Sequence, residues 1–304
     1  MPVIPAKAGI QSTLRERHWM PDQVRHDDKN SPTAELNKKG DSRMRKRHIF
    51  TRRSVWLLVF ILGVSLSAAG CDVNEKFRKT VTLSKPMEPG KLFEAGTHNG
   101  SIRANGNEID GCEVTATITG RGPTVQDAEK VTDQIQIKLE YSGDRLVAVV
   151  DKPEWLEQRY FSIDYKIQLP ATTSLDFSTH NGSIRVGKIL GAMSLSTHNG
   201  GINCYAVAGK VHAQTHNGSV KIQFDREALS SLNTRISTHN GSIEVTTPGE
   251  LSAELNASTH NGSIEVLQPV TVTGRVDKTN FRGKMGTGDG LLHLRTHNGG
   301  ITVR

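Results

Sequence analysis

The sequence predicts an all-β fold: a parallel β-solenoid or β-helix-like repeat domain, with a β-rich insertion carrying one short helix near its N-terminus. Three observations lead there. Thr-His-Asn-Gly occurs seven times, beginning at Thr97, Thr179, Thr197, Thr215, Thr238, Thr259 and Thr296. Apolar and polar residues alternate on both sides of these copies, the period of a half-buried strand. Glycine is plentiful, at 29 residues, while aromatics make up only 5% of the chain, a balance that suits tightly turning β structure better than a helical bundle.

The N-terminal quarter reads as targeting rather than fold. Residues 1–43 show no apolar periodicity and read as a non-native or disordered extension; the stretch 2–11 resembles translated intergenic repeat DNA of proteobacterial genomes, and Met44 reads as the true start. Residues 44–70 read as a lipoprotein signal peptide. Arg45, Lys46, Arg47, Arg52 and Arg53 form a basic flank, an apolar run follows from Val55, and small residues lead into Cys71. The run is too short for a comfortable membrane span, and Arg52-Arg53 lacks the rest of a twin-arginine signal. Ala68-Ala69-Gly70-Cys71 resembles a bacterial lipobox, with Ala where Leu is usual. That resemblance implies cleavage before Cys71 and lipidation of its thiol, and Asp72 slightly favours the periplasmic face of the inner membrane over the outer membrane. Residues 71–89 read as a tether, and 90–304 as the folded domain.

Between the first and second copies, Glu113–Ile118 reads as a strand. Thr124-Val-Gln-Asp127 resembles a capping box, with Asp in the usual Glu/Gln place, and opens a short helix to about Gln134. Strands follow at 135–141 and 146–150, joined by Ser142-Gly-Asp144, and a further strand runs from Tyr160 to Leu169 ahead of Pro170. This insertion is expected to pack against the first repeat as one continuous domain.

Successive repeats from the second copy are spaced by 18, 18, 23, 21 and 37 residues. The last interval is about two units long, and Lys278–Gly283 reads as a decayed copy inside it. Leu175, Phe177 and Thr179 share one parity, continued by Ile184 and Val186. Met193, Leu195, Thr197, Ile202 and Cys204 repeat the frame, and Leu255, Ala257, Thr259, Ile264 and Val266 repeat it again. Each motif Thr therefore faces inward and each His outward. Asn-Gly is expected to supply the turn through its tolerance of positive φ.

Two architectures fit this frame. Asn-Gly between alternating runs is a strong hairpin signal, which would give an antiparallel meander. The stacked alternative is favoured because the whole tetrapeptide repeats, whereas a hairpin needs only Asn-Gly. Stacking sets each Thr and Asn over its twin, where side-chain ladders form. Energetics agrees: roughly four aliphatic side chains per unit contribute about 1.5–3 kcal/mol each, against about 1–2 kcal/mol per ordered residue. No unit stands alone, and how the last edge is protected stays open.

Leu175-Asp-Phe-Ser-Thr-His-Asn-Gly-Ser-Ile-Arg-Val186, and the layout of strands, short helix and Ile-x-Leu-Pro170 ahead of the repeats, resemble the bacterial putative-adhesin family of β-strand-repeat proteins. The resemblance covers about residues 90–304. It implies a β-helix-like fold and an extracytoplasmic location, and brings no catalytic residues. The departure is the invariant His, at a position that varies in the family.

The formal charge of +7 does not make this a nucleic-acid binder. Residues 1–70 carry 13 Lys+Arg and 6 Asp+Glu, and the rest of the chain carries 25 of each, so the folded part has no electrostatic case for phosphate backbones. The expected partners are the membrane, through the lipid anchor, and an envelope protein or glycan. The motif histidines His98, His180, His198, His216, His239, His260 and His297 would form an exposed column at strand spacing. A candidate metal site at His180, His198 and His216 has the right ligand type but no Cys, Asp or Glu to complete it; a proton-sensing column with coupled titrations is the other reading of these rings. Cys112 and Cys204 read as separately buried thiols. Asp176, Glu244 and Glu265 do not cluster as a carbohydrate-cleaving pair would, and Gly286–Gly290 precedes a strand, so it reads as a loop. No cofactor and no enzyme activity are expected. The overall reading is a non-catalytic envelope scaffold or adhesion-type binding module, with a His-column metal or proton sensor as the alternative.

Overall fold

The computed structural model describes residues 75–226, 232–249, 251–272 and 277–304. The extension expected over 1–43, the signal peptide expected over 44–70 and Cys71 lie outside the described residues. The described chain is predominantly β, its 21 strands divided between a ten-stranded sheet A and an eleven-stranded sheet B.

The chain opens with β1 (Glu75–Lys85), β2 (Leu92–Asn99), β3 (Ile102–Asn107) and β4 (Cys112–Gly122). Here the tether expected over 71–89 needs correction: residues 75–85 are a strand, paired antiparallel with β4 from Glu75↔Gly122 to Lys85↔Cys112. The segment looks like a linker because charged residues interrupt its apolar ones. That is the composition of an edge strand, in which Phe77, Val81 and Leu83 half-bury one face, shared with Lys79 and Lys85, while Lys76 and Arg78 stand on the exposed one.

The helix α1 (Val125–Asp133) starts where the capping residues place it, with the Thr124 hydroxyl accepting from the Asp127 backbone N–H at 3.2 Å. It lies directly on β4. A Cβ at Gly120 would sit 2.2 Å from the Ala128 carbonyl oxygen, so only glycine lets the helix approach. The hairpin of β5 (Gln136–Ser142) and β6 (Arg145–Asp151) turns at Gly143, whose φ is 63°. A short 3-10 turn, Gln158–Tyr160, leads into β7 (Phe161–Pro170). β7 joins sheet A beside β3, and β6 joins sheet B beside β2, both in parallel. The insertion thus extends both sheets past the first repeat.

Each later repeat places one strand in each sheet, with the tetrapeptide at the corner between them. The pairs are β8 (Ser174–Asn181) with β9 (Ile184–Gly187), β10 (Met193–Asn199) with β11 (Ile202–Val207), and β12 (Val211–Asn217) with β13 (Val220–Phe224). Next come β14 (Asn233–Asn240) with β15 (Ile243–Thr246), then β16 (Ala253–Ser258) with β17 (Ile264–Val266). After β18 (Thr271–Val272) and β19 (Asn280–Met285), the chain ends with β20 (Gly290–Asn298) and β21 (Ile301–Val303). Neighbouring repeats pair in parallel and in register, Thr179↔Thr197↔Thr215↔Thr238 in sheet B and Ile184↔Ile202↔Val220↔Ile243 in sheet A. The antiparallel meander is not the arrangement adopted. Leu175, Phe177, Leu195 and Ala213 from one sheet meet Ile184, Val186, Ile202 and Ile222 from the other, all buried in one shared core.

The C-terminal repeats do not stack in chain order. Sheet B runs β14-β20-β16-β19-β18 and sheet A runs β15-β21-β17, so the seventh copy lies between the fifth and the sixth. Lys278–Gly283 is accordingly no decayed copy: residues 280–283 belong to β19, which pairs antiparallel with β16. The physical reason is that every copy presents the same corner chemistry to both sides, so the last copy fits between two earlier ones as well as beyond them. It also answers how the end is protected. The C-terminal strand is interior, and the edges left over are the antiparallel β18–β19 pair and the three-residue β17. Ile264 and Val266, expected in the core, are only half-buried because β17 is that edge.

Candidate functional site: the histidine column

The corner of each repeat is assembled from the whole tetrapeptide. The motif Thr is buried in every copy from the second onward, and its hydroxyl donates to the carbonyl of the motif Gly in the adjoining repeat: Thr179 to Gly100 at 3.0 Å, Thr197 to Gly182 at 2.9 Å, Thr215 to Gly200 at 2.8 Å. Thr238, Thr296 and Thr259 continue the series to Gly218, Gly241 and Gly299. Two residues on, the Asn side chains form an unbroken ladder. Each Nδ2 donates to the Oδ1 of the neighbouring Asn at 2.7–2.8 Å, from Asn181 on Asn99 through to Asn261 on Asn298. At the first repeat the free Asn99 Nδ2 donates to the Gln158 carbonyl at 2.7 Å, so the insertion closes that end.

The expected positive φ is found at three motif glycines, Gly100 at 134°, Gly200 at 158° and Gly299 at 155°, but not at the motif Asn. Among the described residues only Lys188 and Ala206 have positive φ without being glycine, so no motif Asn uses the left-handed region. The motif Gly is required by close approach. A Cβ at Gly182, Gly218 or Gly241 would lie 1.9–2.0 Å from the carbonyl oxygen of the neighbouring motif Gly. Backbones meet there, and no side chain fits between them.

Between Thr and Asn, the seven imidazoles stand exposed on the outer face of sheet B. They stack face to face in the order His98, His180, His198, His216, His239, His297, His260, with centroids 4.7–4.8 Å apart and planes within 2–7° of parallel. Partial burial and then the neighbouring imidazoles hold His180, His216 and His297 below the ordinary histidine value, with Arg295 adding to the effect at His297. Off the column, partial burial and then Arg235 lower His212, and the same pair of causes, with Arg295, lowers His293.

The candidate metal set His180, His198 and His216 is therefore brought together, but not as a chelate. An imidazole lone pair lies in its ring plane, and two separate parallel planes share no point where one ion could meet both. Binding a metal at 2.0–2.1 Å would require the rings to leave the stack. Among the described residues no group of three His, Cys, Asp or Glu forms a metal-holding cluster. Asp176, Glu244 and Glu265 stay apart: Asp176 is on sheet B, Glu244 on β15 pairs with Lys221 at 3.0 Å and Arg304 at 3.2 Å, and Glu265 is two strands away. Cys112 and Cys204 are free and buried, and burial pushes each thiol up to about 12.

One feature of the face comes from outside the repeat. At the His98 end, a notch of about 580 Å³ is lined by His98, Asn99, Arg121, Arg159, Phe161 and Asn181. No period in the sequence points to Arg121 or Arg159, because the insertion supplies both.

No curated protein matches the chain. Among solved structures it is similar to a putative cell adhesion protein from Clostridium sporogenes, with 14% identity, 74% of this chain and 99% of that chain covered, and a TM-score of 0.46. A putative adhesin from Bacteroides fragilis aligns at 12% identity over 74% of this chain and 97% of its own, with a TM-score of 0.33. A putative lipid binding protein from Parabacteroides distasonis aligns at 11% identity over 75% and 96%, with a TM-score of 0.27. The family rests on firmer ground, a family model that matches residues 142–304, more than half of the chain. The chain belongs to the Toastrack DUF4097 family.

Proposed function

We propose that this protein is a non-catalytic lipoprotein of the cell envelope, anchored through Cys71 and acting as a scaffold or adhesion-type binding module built as a parallel β-solenoid. The observation that carries this reading is the seven-deep register of one tetrapeptide. Thr and Asn ladders fix the corner rigidly, and the one motif residue they do not use, His, is displayed outward in a straight line. Such a face suits recognition of an extended partner, an envelope protein or glycan. The basic flank, the apolar run and the lipobox-like Ala68–Cys71 support anchoring, with Asp72 favouring the periplasmic face of the inner membrane.

Radiolabelled palmitate and membrane fractionation test this in a bacterial host. The wild-type chain takes up label and sediments with membranes, while Cys71→Ala is unlabelled and is released by osmotic shock. An unlabelled, soluble wild-type chain would refute the anchor. A second reading, a proton-responsive face, is favoured by the ring stacking, since imidazolium groups at 4.7 Å repel one another.

A further inference from the structure

The histidine column is about 28 Å long from His98 to His260, and the outward residues next to it include no carboxylate. The outward column two residues before the histidines consists of Gly96, Ser178, Ser196, Gln214, Ser237, Arg295 and Ser258, without a carboxylate. Four residues before, where each residue is about 3.3 Å along the strand, stand Glu94, Asp176, His212, Arg235 and His293. Glu94 is paired with Arg145 at 3.0 Å, and partial burial followed by Glu94 raises the Asp176 carboxyl. Lys210 and Glu254 lie further off, on β12's approach and on β16. Beyond the Asn ladder, Asp164 on β7 is held by the Ser101 N–H at 2.8 Å and its hydroxyl at 2.7 Å. At the His98 end, Lys152 lines an adjoining hollow. Arg121 has no ion pair among the described residues, and Arg159 pairs with Glu157 at 2.8 Å.

We propose that the His column, continued by Arg121 and Arg159 at its His98 end, is a binding strip for a linear acidic polysaccharide, occupied at mildly acidic pH and released at neutral pH. This deepens the reading of the domain as a binding module and rests on it. Neutral imidazoles offer a polyanion only weak polar contacts. On acidification they become a single row of cations with no interleaved acid, and a polyanion laid along the row relieves the repulsion that opposes their protonation. The row is one residue wide and flanked by the hydroxyls of Ser178, Ser196 and Ser237, which suits a sugar chain. A membrane would meet a broad face, and the column offers no Phe, Tyr or Trp platform for nucleic-acid bases.

The test uses the purified full chain and fluorescein-labelled polygalacturonate, with anisotropy read at pH 5.0 and 7.5 at one ionic strength. The expected result is binding at least 10-fold tighter at pH 5.0. H180N/H198N/H216N flattens that pH dependence, H212N/H293N retains it, and R121A/R159A weakens binding severalfold at pH 5.0. Should the triple variant unfold, H212N/H293N and R121A/R159A still decide the matter. Equal affinity at the two pH values, equal binding of neutral dextran, equal binding of double-stranded DNA, or an unaffected R121A/R159A would each overturn the proposal. Because the assay needs no lipid, a failed anchor leaves its outcome untouched, and a failed assay leaves the anchor standing.

Discussion

Replacing Gly218 by Ala probes the corner where the repeats touch. The added Cβ would lie 2.0 Å from the Gly200 carbonyl oxygen, with Gly200's carbonyl carbon at 2.5 Å. Both neighbours are backbone, so relief requires the two repeats to separate by more than about 1 Å, given ordinary contacts of about 3.5 Å. Separation strains the Gly200 N–H to Asn217 carbonyl bond at 3.0 Å, the Thr215 hydroxyl bond to the Gly200 carbonyl at 2.8 Å, and the Asn217–Asn199 rung at 2.8 Å. Losing two of these costs about 1 kcal/mol each, and overpacking adds about 1–3 kcal/mol, so the loss is about 3–5 kcal/mol. For a domain of this size each kcal/mol lowers Tm by about 2–4 °C, a drop of about 6–20 °C. Gly300→Ala is the control, since its Cβ would meet only the Ser263 carbonyl, at 3.5 Å; it should move Tm by no more than about 2 °C. Differential scanning calorimetry reads both. A Gly218→Ala transition within about 2 °C of wild type would refute the close-approach argument.

Thr215→Val keeps shape but removes the donor to the Gly200 carbonyl; urea titration should show a loss of about 1 kcal/mol with an unchanged slope. Asn217→Ala, which breaks two rungs in mid-ladder, should cost more than Asn261→Ala, which breaks one at the end, again by urea titration. His180, His216 and His297 titrate lower in the fold than in the unfolded chain, so near pH 6 the unfolded state binds more protons and stability falls as pH drops through about 6.5. Thermal melts from pH 7.5 to 5 should show that decline, and a flat profile would contradict the lowered values. Cys112 and Cys204, buried with thiols pushed up to about 12, should resist a thiol-titrating disulfide reagent until the protein unfolds.

What the sequence reveals follows from what the repeat specifies. Alternation around Leu175, Phe177 and Thr179 specifies which side chains are buried, and repetition of Thr and Asn specifies register, because each ladder needs its twin opposite. The Thr124 cap is equally legible, since its bond to Asp127 is local. The order of the last two repeats is not legible for the reason that makes the register so clear: identical corners cannot encode which copy adjoins which, and only the 37-residue interval before Thr296 hints at a detour. β1 is hidden because an edge strand tolerates Lys79 and Lys85 on its half-buried face. The role of the motif glycine depends on a contact between residues 18 to 82 positions apart, such as Gly200 with Gly218 and Gly100 with Gly182, which no local pattern expresses. Arg121 and Arg159 reach the column from elements of a different character, so the repeat gives no sign of them.

The most direct test of the stacked corner is the set of nuclear Overhauser contacts among the imidazole rings of the isotopically labelled protein. The stacked order predicts cross-peaks from His297 to both His239 and His260, with none between His239 and His260, whose rings are separated by His297. Contacts between His239 and His260, or an absence of ring-to-ring contacts along the series His98, His180, His198 and His216, would contradict it.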